Sequence, residues 1–150
     1  WVVINNDSIK VSRCLAPVLR EWIKEARKHN IDLKNLNDSG FVAHIDIAKV
    51  FNINAYGITT EANLDKRTKS FILIDDSVYH YTPTFIKAVL YHELFHLILK
   101  EGHPTHKDTP YILQDGSKIK PEIVIQTFDK CEIDNYFIFI KKVQTGEIKL

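Results

Sequence analysis

A chain of 150 residues, 45% hydrophobic and 26% charged, has the length and composition of one globular domain with a full core. Its formal net charge of +1 leaves no electrostatic footprint for nucleic acid or an anionic membrane, so no nucleic-acid partner is expected. No apolar run approaches the roughly 18 residues that would cross a bilayer, so no transmembrane segment is expected either. No basic-then-apolar leader opens the chain. It begins at Trp1 and contains no methionine, which we read as a processed or excised piece from which any targeting signal has been removed. Cys14 and Cys131 lie far apart in sequence and in no CxxC arrangement. Two free, buried thiols are expected, with a single disulfide as the alternative.

In chain order, Trp1–Ile4 reads as a first strand. Ser12 reads as the cap of a helix from about Arg13 to His29, with Leu15, Val18, Leu19, Trp22, Ile23 and Ala26 as its apolar stripe. That helix is scaffold. Residues Asn35 to Gly40 form a turn-rich break. Phe41–Phe51 alternates in part, and its first half is expected to be a strand. A turn at Asn52–Gly57 precedes Ile58–Thr60, and the polar stretch Glu61 to Lys69 is expected to be an exposed hairpin or loop. Phe71–Ile74, closed by Asp75-Asp76, is a compact strand.

Thr82 can cap a helix whose first residue is Pro83, where the missing proline N–H costs nothing. That helix is expected to reach Lys100 or Glu101, with Gly102 in the left-handed position that ends it. His103 to Ser117 is polar and turn-rich. Ile119–Phe128 and Tyr136–Val143 are rich in β-formers and read as strands, and Gln144-Thr145-Gly146 reads as a hairpin into Ile148–Leu150. No repeat or linker divides the chain. One α+β domain spanning residues 1–150 is expected, with a small twisted sheet, an N-terminal scaffold helix and a central helix at Pro83–Lys100.

That central helix carries His92-Glu93-Leu94-Phe95-His96, an HExxH motif. Residues four apart share a helix face, so His92 and His96 can bind one metal ion. Glu93 is turned about 100° from His92. It is therefore placed to take a proton from a metal-bound water rather than to be an ordinary ligand. With the His and Glu content of this chain, an accidental HExxH would arise with a probability of roughly 2%. The surrounding residues Phe85, Ile86, Val89, Leu90, Leu94, Phe95, Leu97, Ile98 and Leu99 make the helix apolar all round, hence mostly buried. Three adjacent polar groups inside it need a partner, and Zn2+ in a cleft is one. A catalytic zinc takes a third protein ligand and keeps one position open. The candidates are His103, His106, Asp108, Glu122 and Glu132. His103 ranks first because Gly102 would let the chain reverse beneath the metal; His106 and a carboxylate remain open.

HExxH on a helix resembles the zincins. The run Leu90 to His103 is similar to a set of bacterial zinc metallopeptidases, often secreted or lipid-anchored, whose motif resembles HELGHxLLxRxH with the same six-residue gap to a third histidine. The likeness covers roughly Trp22 to Leu113, most specifically in the zinc helix. It implies a zincin-like metallopeptidase domain, a metal set of His92, His96 and His103, Glu93 as the catalytic base, a protein or peptide substrate, and an extracytoplasmic or secreted location. Metzincins differ in a five-residue gap, a glycine where this chain has Leu99, and a methionine turn. Tyr111-Ile112-Leu113 sits about where that turn would fall, which would make Leu113 an apolar floor. A second resemblance is to the SprT-like and WLM proteases, which act on DNA-bound proteins and carry a Gly-His or Pro-His ligand after the helix; Glu101-Gly102-His103 suits them too.

Further expectations attach to this reading. Phe71–Ile74 could be a cleft edge on which an extended peptide pairs, or a core strand. Tyr111 is expected to pack, with oxyanion stabilisation as the alternative. Asp75, Asp76 and Asp108 are candidates to orient the ligand histidines. The rival functions are an inactive zincin-fold binding module, a closed structural zinc site, and a metal hydrolase acting on something other than peptides. Retention of Glu93 argues against a purely structural metal.

Overall fold

The computed structural model describes residues 1–4, 9–64, 67–115 and 120–150. Its strands are β1 (Val2–Ile4), β2 (Ile9–Val11), β3 (Phe41–Ile45), β4 (Gly57–Leu64) and β5 (Arg67–Asp75). They form one sheet in the order β1-β2-β3-β5-β4. β2, β3 and β5 run parallel, while β1 and β4 are antiparallel to their neighbours. The helices are α1 (Ala16–Lys28), α2 (Lys34–Asn37), α3 (Ile47–Phe51), α4 (Pro83–Leu99), α5 (Pro121–Thr127) and α6 (Lys130–Gln144). The α+β expectation therefore holds.

The unbroken apolar run of β5 has a simple cause. Ile72 and Ile74 join the main core, whereas Phe71 and Leu73 join Ala43 and Ile47 in a second cluster on the opposite face. A strand covered on both sides needs apolar residues at every position rather than at alternate ones. The same burial corrects the expectation that Phe71–Ile74 could be a cleft edge. β5 is hydrogen-bonded to β3 on one side and β4 on the other. The edge belongs to β4, and the Glu61–Lys69 stretch lies within two long strands paired as far as Leu64 opposite Arg67, residues 65–66 lying outside the described residues.

Further expectations change, and stretches left unassigned take a form. Ser12 does not cap α1, which starts later, at Ala16 behind Leu15. Its hydroxyl instead accepts the His44 N–H at 3.2 Å, tying β2 to β3. The second half of Phe41–Phe51 is α3, capped by the Asp46 carboxylate on the Lys49 N–H. The C-terminal strands are helices, although Ile119 lies outside the described residues. Pro121 opens α5, and the Asp129 carboxylate accepts the Glu132 N–H to open α6. Ile133, Tyr136, Phe137, Ile140 and Val143 then recur at three- and four-residue spacing against the core. Local β-propensity lost to a capped amphipathic helix packed on a large core. The expected hairpin at Gln144–Gly146 is the end of α6, where the Ile148 N–H returns to the Lys142 carbonyl. The two cysteines are unpaired, but both are exposed rather than buried.

α4 is the central element. It runs against the sheet and touches α1, α2, α5 and α6. Trp22 Nε1 donates to the Tyr136 hydroxyl at 2.9 Å, which donates to the Tyr91 carbonyl at 2.7 Å, so α1 and α6 are pinned to α4 one residue before His92.

Candidate metal centre

Within α4, apolar side chains cover nearly the whole circumference, yet His92 and Glu93 are buried with 9% and 5% exposure. His96 is half-buried one turn later. The helix ends at Lys100, which adopts the left-handed conformation at φ 54°. The reversal expected at Gly102 thus happens two residues earlier. It still carries His103 back beneath the helix, where His92 Nε2 stands 3.1 Å from His103 Nε2 and 3.1 Å from His96 Nε2. Among the described residues, His92, His96 and His103 form a group whose ligand atoms converge in this way. A looser group, Glu25, His29 and Asp134, lies at the surface, where Glu25 is paired with Lys28 and the His29 ring stacks on Phe137.

The backbone decides which ring nitrogens carry protons. His92 Nδ1 faces the Ile112 carbonyl, and His96 Nδ1 lies 2.7 Å from the Glu101 carbonyl. A carbonyl oxygen only accepts, so each Nδ1 must donate, and in the neutral rings each Nε2 is left with a lone pair. Those lone pairs point at each other across 3.1 Å. Proton sharing would relieve this, but burial drives the His92 pKa down to about 4, against the opposing Ile112 hydrogen bond, and burial also lowers His96. Facing acceptors of this kind are stabilised by a cation between them. Three nitrogens of a tetrahedral zinc shell, each about 2.0–2.1 Å from the ion, stand about 3.3–3.4 Å apart, close to what is seen.

The residues that orient the histidines are not those expected. Asp75 accepts the N–H groups of Ile47 and Ser77, Asp76 pairs with His44 at 2.8 Å, and Asp108 lies 3.9 Å from His106. Carbonyls of Glu101 and Ile112 do the orienting instead, a role open to any residue type and hence invisible in sequence. Ile112 belongs to the 3-10 turn Tyr111–Leu113. That turn does pass under His92, but the contact is the Ile112 carbonyl, while Leu113 is fully buried in the main core. The Tyr111 hydroxyl accepts the Lys120 N–H at 3.0 Å. His106 accepts the Asp108 N–H through Nδ1 and lies near Phe139, apart from the triad. Glu122 is exposed on α5 and Glu132 sits in the first turn of α6.

Glu93 lies beside the triad, with Oε2 4.0 Å from His92 Nε2. Burial pushes its carboxyl up to about 7, and a hydrogen bond from Thr59 opposes that rise. Two features of β4 shape its pocket, and neither was legible as functional in the sequence. The Thr59 hydroxyl lies 3.0 Å from both Oε1 and the backbone carbonyl of Glu93. Gly57, read only as a turn signal, has no room for a side chain: a Cβ there would stand 2.9 Å from Glu93 Cγ. The cleft runs from the β4 edge past His92 and His103, with a rim formed by Tyr56 and Tyr81, whose hydroxyls are 3.2 Å apart.

No family model, curated protein or solved structure matches the chain.

Proposed function

We propose that the chain is a zinc-dependent metallopeptidase with a zincin-like domain, its metal held by His92, His96 and His103. The observation that carries this reading is the set of converging imidazole nitrogens, two with lone pairs fixed inward by backbone carbonyls, beside a buried carboxylate. Three imidazole nitrogen ligands, one of them on the loop after the helix, suit borderline-soft zinc better than the oxygen-seeking Mg2+ or Ca2+. A structural site would be closed by a fourth side chain; among the described residues none joins the three, which favours an open position.

Bound zinc would lower the pKa of a coordinated water and polarise a carbonyl oxygen. Glu93 would be the residue that accepts a proton from the attacking water at its carboxylate and passes it to the nitrogen of the departing amine. Its near-complete burial beside the histidines places the carboxylate where such a proton transfer would occur. The Glu93 pocket, walled by β4 and α4, keeps bulk water from competing for the carboxylate. β4 offers its free edge to an extended peptide, which can add as a further strand and lie along the cleft. Pairing of backbone to backbone orients the scissile bond without demanding particular side chains. These features also support a protein or peptide over a small hydrolysable ester as substrate.

Glu93→Gln is the direct test. The variant is expected to keep zinc while its turnover of a mixed peptide library falls by about 10²- to 10⁴-fold, the usual worth of a positioned proton acceptor. Undiminished hydrolysis in Glu93→Gln would remove the assigned base.

A further inference from the structure

The catalytic glutamate of the proposed reaction has two neighbours on an element that contributes no ligand. Thr59 and Gly57 stand two apart on β4, so both face α4, while Ile58 between them packs into the second cluster on the other side of the sheet. Thr59 holds Glu93 by hydrogen bonding, and Gly57 holds it by leaving space.

We propose that Thr59 and Gly57 are positioning residues for Glu93, the hydroxyl fixing the carboxylate's orientation and the missing side chain admitting it to its place beside the metal ligands. This rests on the metallopeptidase reading for its catalytic consequence, but the geometric claim stands apart from it. The Thr59 hydroxyl has a single proton and is 3.0 Å from both Glu93 Oε1 and Glu93 O, so it shares that proton between a side-chain and a backbone acceptor of the same residue. A carboxylate tethered to its own main chain through one hydroxyl has little freedom to rotate. Oε2 is thereby left as the oxygen nearer His92 Nε2, at 4.0 Å. From the same face of β4, a Cβ at residue 57 would come within 2.9 Å of Cγ, 3.2 Å of Cδ and 3.2 Å of Oε2. Gly57 does not adopt a left-handed conformation, so its backbone would accept alanine, and the three atoms nearest an added Cβ all belong to the glutamate. Because β4 is the edge strand, the residues that would pair with substrate lie on the same strand as those that set the base.

Three variants and two readouts test this. Thr59→Val keeps shape and removes the hydroxyl; Thr59→Ser keeps the hydroxyl; Gly57→Ala adds one methyl. In peptide hydrolysis, Thr59→Val and Gly57→Ala should each lower kcat roughly tenfold or more, since small displacements of a catalytic group are costly, with KM and bound zinc unchanged. Thr59→Ser should restore most of kcat. Equal losses in Thr59→Val and Thr59→Ser would overturn the role of the hydroxyl, and unchanged kcat in Gly57→Ala would overturn that of the space. The second readout needs neither metal nor activity. In metal-free protein, Thr59→Val should lower the denaturant midpoint clearly when Glu93 is present and much less in the Glu93→Leu background. Equal shifts in both backgrounds would show that hydroxyl and carboxylate are uncoupled and overturn the proposal. If Glu93→Gln remained active while the coupling persisted, the catalytic reading would fall and the contact between Thr59 and Glu93 would stand.

Discussion

His92 and His96 owe their inward lone pairs to two carbonyl groups, and the most direct consequences lie at that scale. A side chain cannot be deleted from a carbonyl, so the tautomers are set by backbone path, and the path depends on Lys100 turning left-handed and on the Tyr111–Leu113 turn. His103 has no such helical constraint and arrives on an exposed loop. Its replacement removes one of three converging nitrogens, whereas His106 is engaged with the Asp108 N–H outside the triad. His103→Ala should therefore weaken zinc binding at least about tenfold, and His106→Ala should leave it nearly unchanged, as read by competition with a chromogenic chelator. The reverse order would exchange the two residues. The motif itself was open to sequence reading because its spacing matches the helical repeat and its neighbours are apolar. The third histidine was also accessible, though through the wrong hinge: a glycine suggested the reversal, and a lysine makes it.

Elements divide by how local their causes are. α4 was legible from Thr82-Pro83 at its start and a continuous apolar sequence within, even though the Thr82 hydroxyl makes no capping bond. α6 was not, because Tyr136 to Ile140 is a run of β-formers. The overlooked signal was Asp129 followed three residues later by Glu132, an N-terminal capping pattern, with apolar residues then at helical rather than alternating spacing. Its worth can be measured: Asp129→Ala should destabilise the fold by about 1 kcal/mol, seen as a lower denaturant midpoint with unchanged slope. No change would mean that packing alone starts the helix there. β4 was only partly legible. Its polar sequence suits an exposed edge, but whether a strand lies at the edge or in the middle of a sheet depends on its partners. That is why Phe71–Ile74 was a plausible cleft strand until β4 proved to stand outside it.

At the scale of the whole molecule, a mixed sheet with α4 laid across it brings three separate stretches of chain to one point. His92, Glu93 and His96 come from α4, His103 from the loop after it, and Gly57 with Thr59 from the edge strand. Fold class followed from composition and the alternation of elements. Strand order did not, since parallel pairing of β2, β3 and β5 is a long-range outcome that no local pattern specifies. The converging histidines are a candidate binding site for one metal ion, and equilibrium dialysis of the metal-free chain against zinc, followed by metal analysis, tests that most directly. About one zinc per chain is expected, together with a rise in the unfolding midpoint on binding; the metal should be lost in His92→Ala and kept in Glu93→Gln. A chain that binds no zinc, or binds it equally well without His92, would contradict the account.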